Sequence, residues 1–235
     1  MCGRYRLKDP KAAFDYLEAI PTFDFLPRFN IAPTQRIPVA TGSGRIEEMT
    51  WGIIPVWAKE KSRPLINARV ETIREKRSFK GSFAQRRCLL PADGFYEWSR
   101  IGKHPYLFTI CGDAPFAIGA LWEKTGDLSR CCLLTTVNNA LLEPIHNRMP
   151  VIVRPEDWAE WYAGGDLAEE SFQRITTPYP PGEMSALAVS PLVNSARVDA
   201  AACCEPAGSS PTEPAKKLTI RRKAATPDGQ QTFGF

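Results

Sequence analysis

The chain has 235 residues, 43% of them hydrophobic and 24% charged, a balance that excludes a mainly disordered or fibrous protein. Lysine and arginine outnumber aspartate and glutamate by 30 to 26, a formal charge of +4, which permits an anionic partner without demanding one. Seven cysteines, an odd number behind a charged N-terminus with no apolar signal stretch, point to reduced thiols in a cytoplasmic protein. The best apolar run, residues 105–122, is broken by Asp113, so no membrane span is expected.

In chain order, Asp9 followed by Pro10 is an N-cap and first-turn signature that opens a helix over 11–20. Segments 36–41 and 45–51 flank Gly42-Ser43-Gly44 and read as a hairpin. Segments 94–100 and 105–111 flank a turn at 101–104, and 116–124 and 130–136 flank Thr125-Gly126-Asp127. Two further strands are expected at 148–153 and 186–190, with helices at 155–163 and 169–175. Successive hairpins without a βαβ rhythm predict an α+β fold: a single domain on a mainly antiparallel, barrel-like β-sheet with flanking helices. From Ala201 the text turns to Ala, Pro, Ser, Gly and Lys, with little to bury. The expected division is a domain over 1–200 and a disordered basic tail over 201–235.

Four residues carry candidate chemistry. Once Met1 is removed, Cys2 offers an α-amine and a thiol on one carbon skeleton. The amine condenses with an aldehyde to a Schiff base, and the thiol closes a five-membered thiazolidine. An α-amine with a pKa of about 7.7–8.0 is far more available at neutral pH than a lysine. Taken alone, Cys2 reads equally as a buried core cysteine. Alternation in Phe95-Tyr96-Glu97-Trp98 sets Phe95 and Glu97 on one face of a strand. A carboxylate there, beside a large aromatic, is desolvated and suited to proton transfer, unless the strand lies at an edge with Glu97 in water. His146, one of two histidines, lies in a polar loop entering a strand and is a candidate proton shuttle or a structural loop residue. His104 sits in a turn and receives no role. Adjacent Cys131-Cys132 and Cys203-Cys204 lack metal-ligand spacing, so no metal or cofactor is expected. Stretches 28–34, 51–57 and 67–72 each join an aromatic or Pro/Gly to a hydrogen-bonding side chain, as a rigid loop stacking beside phosphates would. Trp51 and Trp57 read equally as core aromatics, and Arg69 as a surface ion pair.

Met1-Cys2-Gly3-Arg4-Tyr5, Asn30-Ile31-Ala32-Pro33-Thr34, Trp51-Gly52-Ile53-Ile54-Pro55, Asn67-Ala68-Arg69-Val70-Glu71-Thr72, residues 88–98 and His146-Asn147-Arg148-Met149-Pro150 occur in one order. Together they resemble the SOS-response-associated peptidase family, the abasic-site processing proteins, over roughly residues 2–195. The resemblance implies covalent attachment to single-stranded DNA at an abasic site, through the Cys2 aminothiol and the ring-opened aldehyde, after Met1 is removed by self-processing. It also implies weak lyase-type Schiff-base chemistry. By the same resemblance Asn67 orients the cysteine, Glu97 assists proton transfer and ring opening, and His146 serves the Schiff-base and reversal steps. Arg4, Arg69, Arg77 and Arg148 match phosphate-holding positions, and Asn30, Pro33 and Trp51 match the DNA-binding surface at which the strand kinks.

Asn147 stands where an acidic residue is common in the family. The chain's end, Gln230-Gln231-Thr232-Phe233-Gly234-Phe235, resembles glutamine-plus-apolar peptides that dock on the replication sliding clamp, a second candidate partner. Two competing functions use the same residues: a non-covalent single-stranded DNA binding module, and a peptidase acting on other proteins. A monomer is assumed.

Overall fold

The computed structural model describes residues 2–55, 57–58, 62–208 and the backbone of 217–218. Its strands begin β1 (Tyr5–Leu7), β2 (Ile20–Pro21), β3 (Arg28–Ile31), β4 (Arg36–Ala40), β5 (Arg45–Trp51), β6 (Asn67–Arg69), β7 (Arg87–Ala92) and β8 (Gly94–Trp98). They continue β9 (Pro105–Ile110), β10 (Phe116–Thr125), β11 (Leu128–Val137), β12 (Arg148–Pro150), β13 (Ile152–Val153), β14 (Met184–Ala188) and β15 (Lys217–Leu218). The helices are α1 (Pro10–Tyr16), α2 (Lys80–Gln85), α3 (Trp158–Tyr162) and α4 (Glu169–Thr176).

Five strands close a barrel. β10 pairs antiparallel with β11 and β7, β7 meets β4 at Ala40–Leu89, and β4 forms a hairpin with β5. The ring closes where β5 runs parallel to β11 through Thr50–Arg130 and Trp51–Cys131. A second sheet has the order β15-β14-β9-β8-β1-β3. The chain passes from barrel to sheet within three residues: Ala92 pairs with Phe116 in the barrel, and Gly94 pairs with Arg6 in the sheet. The joint is Asp93, which is buried and accepts from Arg6 Nε at 2.6 Å and from the Lys8 amide at 2.6 Å. A Cβ on Gly94 would stand 2.8 Å from Leu107 Cδ1 and 3.3 Å from Arg6 Nε, so glycine lets these side chains approach the strand closely. This crossover carries β8, and Glu97 with it, out of the barrel and into the second sheet between β9 and β1.

The expected α+β architecture and its three hairpins are present. Left-handed φ values at Gly42 (84°) and Gly44 (72°) make the β4–β5 turn, and Gly126 (58°) makes the β10–β11 turn. Helix α1 starts where Asp9 caps it, Oδ1 accepting from the Ala12 amide at 3.0 Å. It stops at Tyr16 rather than 20, because its apolar face (Ala13, Phe14, Leu17) is complete and Ile20 leaves to pair with Arg45. The strand expected at 148–153 is two. β12 pairs with β11 and β13 with β10, and Val151 between them bonds to both.

The division at 200 is corrected. Ala201–Cys204 form a turn of 3-10 helix, and Cys203 is fully buried against Tyr96, Leu107, Val189 and Val193. The Ser190 amide donates to Glu205 O and the Ala207 amide to Ala188 O, so the folded body runs through Gly208. Beyond it, Lys217–Leu218 pair with Leu187 and Ala186 of β14. The clamp-like end, 230–235, lies outside the described residues. Among the described residues no helix is long and apolar enough to cross a membrane.

Candidate active site

Strand β8 is covered on both flanks, by β1 and by β9, which decides the environment of Glu97. Phe95 on its face joins the main core, while Tyr96 on the opposite face joins the small cluster around Cys203. Glu97 is 2% exposed, so the reading of an edge carboxylate in water fails. Burial pushes its pKa up to about 7, against the lowering effect of a hydrogen bond from the Trp98 amide. A carboxyl poised near 7 both holds and releases a proton at physiological pH.

The N-terminal segment runs beside this strand. Tyr5 pairs with Phe95 and the Tyr96 amide donates to Arg4 O at 3.0 Å, which brings Cys2 alongside β8. Cys2 is fully buried, and its thiol pKa is raised by that burial and further by the Glu97 charge, so the sulfur is a neutral thiol at rest. Strand β6 comes in parallel to β11, with Asn67 opposite Leu133, and Asn67 Nδ2 donates to Cys2 O at 2.7 Å. The other end of that amide, Oδ1, is buried and has no hydrogen-bond partner among the described residues. His146 closes the group from the loop before β12. Its Nδ1 is 3.8 Å from Glu97 Oε2 and 3.2 Å from both the Arg148 amide nitrogen and Arg148 O. Burial lowers the imidazole pKa below the usual 6.5. Asn138 Nδ2 fixes the loop by donating to His146 O at 2.9 Å. Cys2, Asn67, Glu97 and His146, 144 positions apart at the extremes, thus meet in one place.

The residues matched to DNA contacts divide. Arg69 and Arg77 are exposed, and Pro33 is half-buried. Arg4 spends its guanidinium on Asn30 Oδ1 (2.8 Å) and Val193 O (2.6 Å). Asn30 is fully buried, its Nδ2 donating to the carbonyls of Ser195 and Val198 at 3.0 and 2.6 Å. It is a strut for residues 193–198 and not a surface contact. Arg148 is 8% exposed and its guanidinium is forked onto Glu71, with Thr135 O also accepting. Trp51 is fully buried, edge-on to Tyr5 with ring centres 5.6 Å apart and Nε1 donating to Ile66 O. It is a core aromatic and offers no stacking surface. The exposed aromatic of that stretch is Trp57, 56% exposed, with the Arg77 guanidinium 5.7 Å from its ring centre. The family resemblance singled out Trp51 and gave Trp57 no role. No local signal separates them: Gly52, Ile53 and Pro55, which follow Trp51, are buried like it, and Trp57 is exposed. Among the described residues no group of three His, Cys, Asp or Glu side chains comes together to hold a metal.

The family model described as SOS response associated peptidase (SRAP) matches residues 1–196. "Abasic site processing protein YoqW" of Bacillus subtilis is 37% identical over 212 residues, which cover 83% of this chain and 95% of that protein. "Abasic site processing protein YoaM" of the same organism is 36% identical over 218 residues, 86% of this chain and 96% of that one. Among solved structures, a Bacteroides thetaiotaomicron protein superposes with a TM-score of 0.73 at 22% identity, covering 83% of this chain and 95% of that one. That last likeness speaks to the fold.

Proposed function

This chain belongs to the SOS response associated peptidase family, and on that premise we propose that it captures abasic sites in single-stranded DNA covalently. The observation that carries the reading is the convergence of buried Cys2, held by Asn67 at its carbonyl, with His146 3.8 Å from Glu97, a buried carboxyl that burial pushes up to about 7. Such a group answers the one demand the chemistry makes, a proton moved twice in opposite directions at neutral pH.

Cleavage of Met1, proposed to be self-processing, exposes the Cys2 α-amine. Asn67 already holds the adjacent carbonyl, and its unsatisfied Oδ1 is an acceptor for one N–H of that amine. The amine nitrogen attacks the aldehyde carbon of the ring-opened abasic sugar. The carbinolamine then loses water to give the imine, with protonated Glu97 or His146 supplying the proton that leaves with the hydroxyl. The thiol sulfur adds to the imine carbon, and its proton passes through the Glu97 carboxylate to the imine nitrogen. One aldehyde and one aminothiol give one thiazolidine and one water. An imine that escapes ring closure is open to β-elimination, which supplies weak lyase activity.

Recognition of the strand falls to Arg69 and Arg77, whose guanidinium groups face solvent, with Trp57 as a stacking platform for an unpaired base. Contacts of this kind carry no base code, so binding is sequence-independent and weakens with salt. The test is a denaturing gel of the protein, its Cys2 terminus verified by intact mass, with an oligonucleotide bearing one abasic site. A band that survives heat and detergent without added reductant supports capture. Its absence from protein with a free Cys2 terminus rejects capture and leaves non-covalent binding.

A further inference from the structure

Arg148 lies two residues after His146, yet its guanidinium turns away from the reacting group. It forks onto both carboxylate oxygens of Glu71, on the single 3-10 turn Val70–Thr72, and also donates to Thr135 O and, at 3.2 Å, to Thr135 Oγ1. Glu71 follows strand β6, which carries Asn67, and Thr135 lies on β11, which pairs β6 on one side and β12 on the other. One ion pair therefore ties the Asn67 strand to the His146 loop across the strand between them. The Arg148 peptide is also what His146 Nδ1 touches, with its N–H and C=O each 3.2 Å away.

A backbone N–H can only donate. With Nδ1 accepting from it, neutral His146 carries its proton on Nε2. When the ring is charged, Nδ1–H turns donor, and the oxygens in reach are Arg148 O and Glu97 Oε2. The position of the Arg148 peptide thus sets which nitrogen exchanges a proton with Glu97. We propose that Glu71 is a positioning residue: by anchoring Arg148 it fixes the tautomer of His146 and its placement against Glu97. The fork needs a carboxylate at this place, because Arg148 Nε is already buried without a partner among the described residues and the residue is 8% exposed. Without Glu71 the buried cation has no counter-charge, and moving it toward water drags the peptide that holds His146.

The proton-carrying role of His146 rests on the proposed function, whereas its tautomer does not, and the test separates the two. Nitrogen NMR of the imidazoles resolves His146 readily, since His104 is the other histidine of the chain. The charged groups that face the His146 ring are the N-terminal amine, Glu97 from β8, Arg100 from the loop after it and Arg148 itself. In the unaltered protein the ring shows a single Nε2–H tautomer. In Glu71→Ala it shows mixed tautomers and a titration midpoint displaced from the unaltered one, and the rate of covalent capture falls on the order of tenfold. Glu71→Asp, which keeps the carboxylate, lies nearer the unaltered protein, and Arg148→Lys, which keeps the charge and loses the fork, behaves like Glu71→Ala. Either of these carries the test if Glu71→Ala does not fold. An unchanged tautomer and midpoint in the folded variants overturns the proposal. So does tighter oligonucleotide binding with His146 unchanged, which would make Glu71 a shield over a phosphate-binding Arg148. Altered NMR signals with no covalent adduct from any of these proteins, the unaltered one included, would uphold the positioning role while the proposed function fell.

Discussion

Two sets of candidate residues live in opposite environments. Cys2, Asn67, Glu97 and His146 are buried or half-buried and hydrogen-bonded to one another or to nearby backbone, while Arg69, Arg77 and Trp57 face water. The first set owes its properties to burial: a carboxyl lifted to about 7, a thiol held neutral and an imidazole lowered. The second set depends on exposure, because a guanidinium can meet a phosphate only where nothing in the protein has claimed it. Arg4 and Arg148 show the contrast within one residue type, since both are already bound to acceptors of the fold. Chemistry and DNA contact should therefore separate under mutation.

The largest separation is at Cys2. Cys2→Ala should abolish the heat-stable band completely while leaving oligonucleotide affinity within about twofold, because it removes the sulfur and touches no exposed contact. Cys2→Ser keeps the amine and should give an adduct that borohydride traps and heat reverses. A heat-stable band from Cys2→Ala would place the attachment elsewhere and end the comparison.

Glu97→Gln should slow capture on the order of a hundredfold at pH 7 and remove the rise in rate centred near 7. What remains is the rise of the α-amine near 8. The same change should stabilise the protein in alkaline conditions. The Glu97 carboxyl titrates near 4.3 unfolded and about 7 folded, so charging it within the fold costs stability that is intact below about 4.3 and lost as the pH rises through 7. The glutamine variant avoids that loss, on the order of 3 kcal/mol at pH 8, and should melt several degrees higher there and level with the unaltered protein at pH 4. Thermal scans at the two pH values check the sign.

Asn30→Ala sharpens the comparison from the other side. Its amide serves the carbonyls of Ser195 and Val198 and the Arg4 guanidinium, and none of those partners finds a replacement in alanine. The loss should be about 1–3 kcal/mol, a drop of several degrees in melting temperature, with affinity for DNA unchanged below it.

Why these roles were only partly legible follows from what sequence reports. Cap chemistry and turn glycines are local, so α1 and the three hairpins were readable from Asp9-Pro10, Gly42-Ser43-Gly44 and Gly126. Strand β7 is buried at every position, with none of the alternation that marks a half-exposed strand, and it was missed. The convergence of Cys2, Asn67, Glu97 and His146 was readable through motif order, and the burial of Glu97 through its aromatic neighbours. Exposure was not. Whether an arginine or tryptophan near such a motif faces water depends on partners distant in the chain, such as Val193 for Arg4, Glu71 for Arg148 and Ile66 for Trp51. The alanine-rich stretch after 200 looked unable to pack, yet Cys203 fits a pocket of Tyr96, Leu107 and Val193 that no local pattern announces.

The smallest expected effects come from the exposed set, and they probe it best through salt. Arg69→Gln and Arg77→Gln should each lower the slope of log affinity against log salt by about 0.7, the value for one phosphate contact on a single strand. Neither should change the melting temperature or the capture rate at saturating DNA, because neither side chain belongs to the buried quartet. Arg77→Gln carries a further consequence, since its guanidinium stands 5.7 Å over the Trp57 ring. Removing it frees that ring face, so part of the lost phosphate affinity returns as stacking, and the net loss at high salt should be smaller for Arg77→Gln than for Arg69→Gln. Equal losses at every salt concentration would mean that Trp57 takes no base, and that the exposed set holds the strand by charge alone.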